Sequence, residues 1–152
     1  MRRGDLPAGV RRRAFLATVA TGGLAGLAGC ASVLGSGDAC DGEGCHIGMD
    51  RNAFLPETHE ASVGETVVWK NTSSAAHTVT AYEDGLPESA TFFASGGFDS
   101  EAAARKAWEK RRGGRLNPGD TFEYTFEVAG TYTYFCLPHE RAGMVGDVVV
   151  SG

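Results

Sequence analysis

The sequence predicts an all-β fold, a two-sheet Greek-key β-sandwich interrupted by one inserted helix at about 100–112. Three observations carry this. Short runs of alternating apolar residues recur between turn formers, as in Phe122, Tyr124 and Phe126. Val, Thr, Tyr and Phe gather in the second half of a 152-residue chain with 22 glycines, a composition of many strands and turns. Only Ser100 to Arg112 has helical charge order, with Glu101 early and Lys106, Lys110, Arg111 and Arg112 late.

In chain order, strand-like pieces fall around Ile47 and Met49, at His59 to Val63, at Thr66 to Lys70 and at His77 to Tyr82. Val67 and Trp69 share one face of the third piece, and Gly64 and Asn71 bound it as turn formers. The helix should place Ala104 and Trp108, four residues apart, toward the core, and Gly113 should stop it. Phe122 to Phe126 follows, Gly130 turns the chain, Tyr132 and Tyr134 alternate, and Val145 to Val150 closes the fold. A chain this long forms one core of ordinary size.

The first 29 residues read as an export signal. Arg11, Arg12 and Arg13 precede Ala14, Phe15 and Leu16, which resembles the twin-arginine motif, and the weakly apolar stretch behind it is diluted by four glycines. It is too short for a spanning helix, which needs about 20 apolar residues. Leu27, Ala28, Gly29 and Cys30 resemble a lipobox, with Cys30 as the lipidated first residue of the mature chain. Residues 30–44, rich in Ser, Gly, Asp and Ala, read as a flexible tether, leaving 45–152 as the folded domain. The expected location is the extracellular side of the cell membrane, held by a lipid anchor.

Removing the signal takes away five of 14 basic and one of 19 acidic residues, leaving 9 against 18 and a net charge of −9. Nucleic-acid phosphates select basic surfaces, so nucleic acid is excluded as a partner. The same balance is found in salt-adapted proteins. With Cys30 lipidated and Cys136 a metal donor, Cys40 and Cys45 remain, and outside the cytoplasm two spare thiols pair. A rival reading takes Cys40, Cys45 and His46 as a C-x-x-x-x-C-H haem attachment, with Met49 as a further axial ligand. His59 has no evident partner and is expected on the surface.

The chemistry sits in Cys136 to Met144, where a thiolate, an imidazole and a thioether fall in one short loop between two strands. Copper cycling between Cu(II) and Cu(I) takes two imidazoles and one thiolate in a near-trigonal plane, with a weak thioether on the axis. The loop offers Cys136, His139 and Met144; His77, opening a distant strand, offers the second imidazole. Structural zinc takes Cys, His or carboxylate donors, so Met144 disfavours it.

These residues carry a family resemblance. Cys136, Pro138, His139, Ala142, Gly143 and Met144 match the C-x-P-H-x-x-A-G-M loop of plastocyanins. Phe54, Pro56, Val63, Gly64, Thr66, Val67, Trp69, Asn71 and His77 resemble the upstream half of the same family, over roughly 45–152. The lipoprotein members called halocyanins look most similar. The resemblance implies a cupredoxin fold, one type 1 (blue) copper ion held by His77, Cys136, His139 and Met144, and a one-electron carrier that is not an enzyme. It also implies redox donor and acceptor proteins of a membrane electron-transport chain, and a monomer. Two positions depart from the photosynthetic pattern: Phe135 stands where a tyrosine serves a remote electron route, and Thr78 stands for the usual asparagine. Thr78 retains a backbone N–H for the cysteine sulfur.

Two other classes fit the sequence less well. A catalytic copper domain needs further His-rich sites with His-x-His pairs, and His46, His59, His77 and His139 form none. Copper storage or sensing needs methionine-rich traps, and only Met49 and Met144 follow Cys30.

Overall fold

A computed structural model describes Cys40 and residues 44–152. The export signal at 1–29, the lipidation of Cys30 and almost all of the 30–44 tether lie outside the described residues.

Among the described residues, eight strands form two four-stranded sheets. The first has the order β2 (Phe54–Leu55), β1 (Ile47–Met49), β4 (Glu65–Asn71), β6 (Thr121–Phe126). The second has the order β3 (Thr58–Ser62), β8 (Val145–Ser151), β7 (Gly130–Phe135), β5 (Thr80–Ala81). Pairs β1–β4 and β3–β8 are parallel, so the chain crosses repeatedly between the sheets, and the predicted sandwich is what forms. Alternation decides the register: in β4, Val67, Trp69 and Asn71 point inward, while Thr66 faces out. Phe126, Tyr132, Tyr134, Val148 and Val150 meet them from the other strands. Each large apolar side chain buried in this way contributes about 1.5–3 kcal/mol.

The inserted helix, α1, runs Glu101–Arg111, as the charge order predicts. Ser100 caps it, its hydroxyl accepting from the Ala103 N–H at 3.2 Å. Ala104 is buried; Trp108 is only half-buried, under the Arg112 guanidinium at 4.9 Å. The helix ends one residue earlier than expected. Arg112 adopts the left-handed turn (φ 56°), and its N–H reaches back to Trp108 O at 2.9 Å. Gly113 is needed for space instead, since a Cβ there would lie 2.8 Å from Ala107 Cβ.

Three further expectations change. The segment His77 to Tyr82 is a strand only at Thr80–Ala81, because His77 bonds Leu116, the Thr78 N–H goes to Cys136 Sγ and Val79 bonds Ser95, none of which extends the ladder with β7. Gly130 does not turn the chain but begins β7, with φ 142° and Pro87 so close that a Cβ would meet its ring at 2.6 Å. His59 is not a free surface residue. It is half-buried against His46 (ring centroids 5.6 Å), and burial, then His46, lowers its pKa.

Candidate metal centre

The site is built at one end of the sandwich, where the β4–β5 connection and the β7–β8 loop meet. Asn71, at the end of β4 and 1% exposed, organises the first. Its Nδ2 donates to Ala75 O at 2.7 Å and to Leu116 O at 3.0 Å. Its Oδ1 accepts from the Ser73 N–H at 3.0 Å and the Ser73 hydroxyl at 2.9 Å. All four hydrogen-bonding positions of the amide are used. The turn thus closed delivers His77, whose backbone exchanges two hydrogen bonds with Leu116 (3.1 and 2.8 Å).

The His77 ring is oriented from behind. Ser73 Oγ lies 2.8 Å from Nε2, and because that hydroxyl already donates to Asn71, Nε2–H donates to it. This leaves Nδ1 free to ligate, 3.5 Å from Cys136 Sγ.

The second loop follows from β7. Cys136 sits at the strand end, and Leu137–Ala142 coil as a short 3-10 turn that Gly143 ends at φ 84°, a conformation glycine adopts without strain. The Cys136 N–H donates to Met144 O (3.1 Å), and the Met144 N–H donates to His139 O (3.2 Å), so the loop folds back on itself. His139 Nδ1 lies 3.4 Å from Cys136 Sγ. Met144 is fully buried, and His139 is half-exposed.

The ligand atoms of His77, Cys136 and His139 all lie within 4.8 Å of one another, as the sequence expects. Among the described residues no other cluster of three such groups occurs. Burial, reinforced by His139, pushes His77 down to about 4, and burial also lowers His139, so both imidazoles are neutral donors near pH 7. Burial pushes the Cys136 thiol up to about 11, opposed by the Thr78 N–H, which donates to Sγ at 3.4 Å. Two imidazoles, one soft sulfur and a buried methionine in the same loop fit one type 1 copper ion. The haem alternative fails: Cys40 and Cys45 are joined in a disulfide, and Met49 is fully buried in the core.

Sequence reasoning missed four supports. The Thr78 hydroxyl accepts from the Leu137 N–H at 2.8 Å, tying the two loops together. Asn71 and Ser73 were legible only as a turn-forming cluster. Arg105 of α1 grips Glu140 of the metal loop with two bonds of 2.7 and 2.8 Å, and also bonds Glu101. Tyr82 donates to the same Glu140 at 2.9 Å and stacks on Phe135 at 4.1 Å. The Glu101–Arg105 spacing signals a helical pair, but nothing local pairs Arg105 with a residue 35 positions away.

Comparison with known proteins agrees with this geometry. Residues 44–151 match the family of copper binding proteins described as plastocyanin/azurin. Plastocyanin of Vicia faba is 35% identical over 100 residues, covering 65% of this chain and 88% of that protein. Chloroplastic plastocyanin of Fritillaria agrestis is 38% identical over 100 residues, covering 65% of this chain and 52% of that one. The chain thus spans about half the length of the Fritillaria protein. Among solved structures, a reduced amicyanin mutant superposes with a TM-score of 0.51 at 24% identity, covering 72% of this chain and 85% of its own. At that identity the likeness bears on the fold alone.

Proposed function

Because the chain belongs to the plastocyanin/azurin family of copper-binding proteins, we propose that it is a one-electron carrier whose single type 1 copper is held by His77, Cys136, His139 and Met144. The observation that carries this is the convergence of His77 Nδ1, Cys136 Sγ and His139 Nδ1 from two separate loops. Copper, when bound, supplies the Cu(II)/Cu(I) couple.

The chain's own residues hold that site still. The Asn71–Ser73–His77 relay fixes one imidazole, the Thr78 hydroxyl fixes the start of the ligand loop, and the Arg105–Glu140 pair fixes its middle. Fixed donors lower the reorganisation that accompanies electron transfer. The half-exposed His139 is the route by which electrons enter and leave, since Cys136, His77 and Met144 are buried.

Twin-arginine export, lipidation of Cys30 and the tether would hold the monomeric domain on the extracellular side of the membrane, as the resemblance to halocyanins implies. There it serves donors and acceptors of a membrane electron-transport chain. The visible spectrum of the Cu(II)-loaded chain tests the reading. An intense thiolate-to-copper band in the red is expected in wild type and lost in Cys136→Ser; survival of the band in that variant refutes the ligand set. Cys30→Ser should leave the membrane fraction.

A further inference from the structure

The helix inserted between β5 and β6 leans on the metal loop through the Arg105–Glu140 pair, and beside that contact a cleft of about 360 Å³ remains. Trp108 and Arg112 line it from the helix side, and Leu137, Pro138 and Arg141 line it from the loop. Leu137 and Pro138 precede His139 and Glu140 and Arg141 follow it, so the cleft lies against the turn that carries the half-exposed imidazole, which does not itself line it.

Its charge is opposite to that of the rest of the chain. Residues 105–115 hold six of the nine basic residues that follow Cys30, and two carboxylates line the cleft, Glu140, which Arg105 neutralises, and Glu109. Arg141 is a seventh, which leaves Arg51 and Lys70 as the basic residues elsewhere, against 18 acidic ones in total. Arg105 is committed to Glu101 and Glu140. Among the described residues, Arg112 and Arg141 make no ion pair. Arg112 is further poised by stacking over Trp108, which leaves the edge of its guanidinium for a carboxylate.

We propose that this cleft is the docking surface for an acidic redox partner protein, whose surface carboxylates seat on Arg112 and Arg141 while its cofactor edge faces His139. The proposal rests on the electron-carrier reading and names the chemistry of the partner. An acidic protein is repelled by most of this surface and attracted here, so the charge pattern both selects the partner and aligns it with the exit route. Transfer is one electron from the reduced partner to Cu(II), giving the oxidised partner and Cu(I), with no proton moved.

The test uses full-length copper-loaded protein in stopped flow at low ionic strength, following loss of the blue absorption. Reduced plant-type [2Fe–2S] ferredoxin serves as the acidic protein probe, with hexacyanoferrate(II) and hexaammineruthenium(II) as small anionic and cationic probes. Arg112→Glu/Arg141→Glu is compared with Lys106→Glu/Lys110→Glu, which makes the same charge change on exposed residues two positions either side of Trp108, on the opposite helical face. The cleft pair should lower the ferredoxin rate at least tenfold, the control pair less than threefold, and added salt should shrink the difference.

Equal effects of the two pairs, or no effect, would overturn the proposal. So would a cleft-specific loss of the same size with hexacyanoferrate(II), which would mark a small-anion site. Self-association of wild type abolished by the cleft pair would make a second copy the occupant and overturn it too. Should no probe, the ruthenium complex included, reduce the centre, the carrier reading itself falls and the docking surface with it.

Discussion

Asn71→Ala tests the framework of the metal site where it is most concentrated. The side chain is 1% exposed and makes four hydrogen bonds of 2.7–3.0 Å, three within its own turn and one across to Leu116 O. Net contributions of about 0.5–1.5 kcal/mol per bond set an upper range of about 2–6 kcal/mol. Two of the abandoned carbonyls keep a partner, Leu116 O from the His77 N–H and Ala75 O weakly from the Ser73 hydroxyl, which moderates the loss. The Ser73 N–H keeps none. The expected destabilisation is therefore about 2–4 kcal/mol, read as a lower midpoint at unchanged slope in denaturant unfolding of the apo-protein. The Ser73 hydroxyl, released from Asn71, holds the His77 Nε2–H less firmly, so copper affinity should also fall at least tenfold, about 1.4 kcal/mol. Destabilisation under about 1 kcal/mol with unchanged copper affinity would refute the claim that this amide positions His77.

Two further outcomes follow from the site. At pH 7 the imidazoles are already neutral and the Cys136 thiol, raised to about 11, is protonated, so copper binding should release one proton. Affinity should then rise about tenfold per pH unit from pH 7, where both imidazoles are neutral, toward the Cys136 value, as calorimetry in two buffers would show, and release of no proton at pH 7 would contradict the assignment. Met144→Leu nearly conserves volume at a fully buried position, so the domain should lose less than about 1.5 kcal/mol and stay blue. Its reduction potential should rise as a weak donor to Cu(II) is lost, and an unchanged potential in a redox titration would remove Met144 from the axial position.

What the sequence determined by itself was whatever repeats at short range. The two-residue period of Phe122, Tyr124 and Phe126 and the charge order from Glu101 to Arg111 depend on neighbours within a few residues, so strands and helix were legible. The ligand loop was legible for the same reason, since Cys136, His139 and Met144 lie within nine residues. His77, 59 residues from Cys136, was reached only by asking which imidazole elsewhere in the chain could complete the donor set, a choice that the family resemblance then supported.

Tertiary structure decided what depends on groups meeting across the fold. His77–Tyr82 has strand-like residues, yet Leu116, Cys136 and Ser95 took the hydrogen bonds of His77, Thr78 and Val79 and left two residues of strand. His59 has no partner in its own strand, and pairing of β3 and β1 into different sheets brought His46 against it. The grip of Arg105 on Glu140, and with it the basic cleft beside His139, arose only when the helix packed against the metal loop. A hydrogen bond or ion pair is fixed by distances of about 3 Å, and a linear sequence specifies such distances only between residues that the local backbone already holds together.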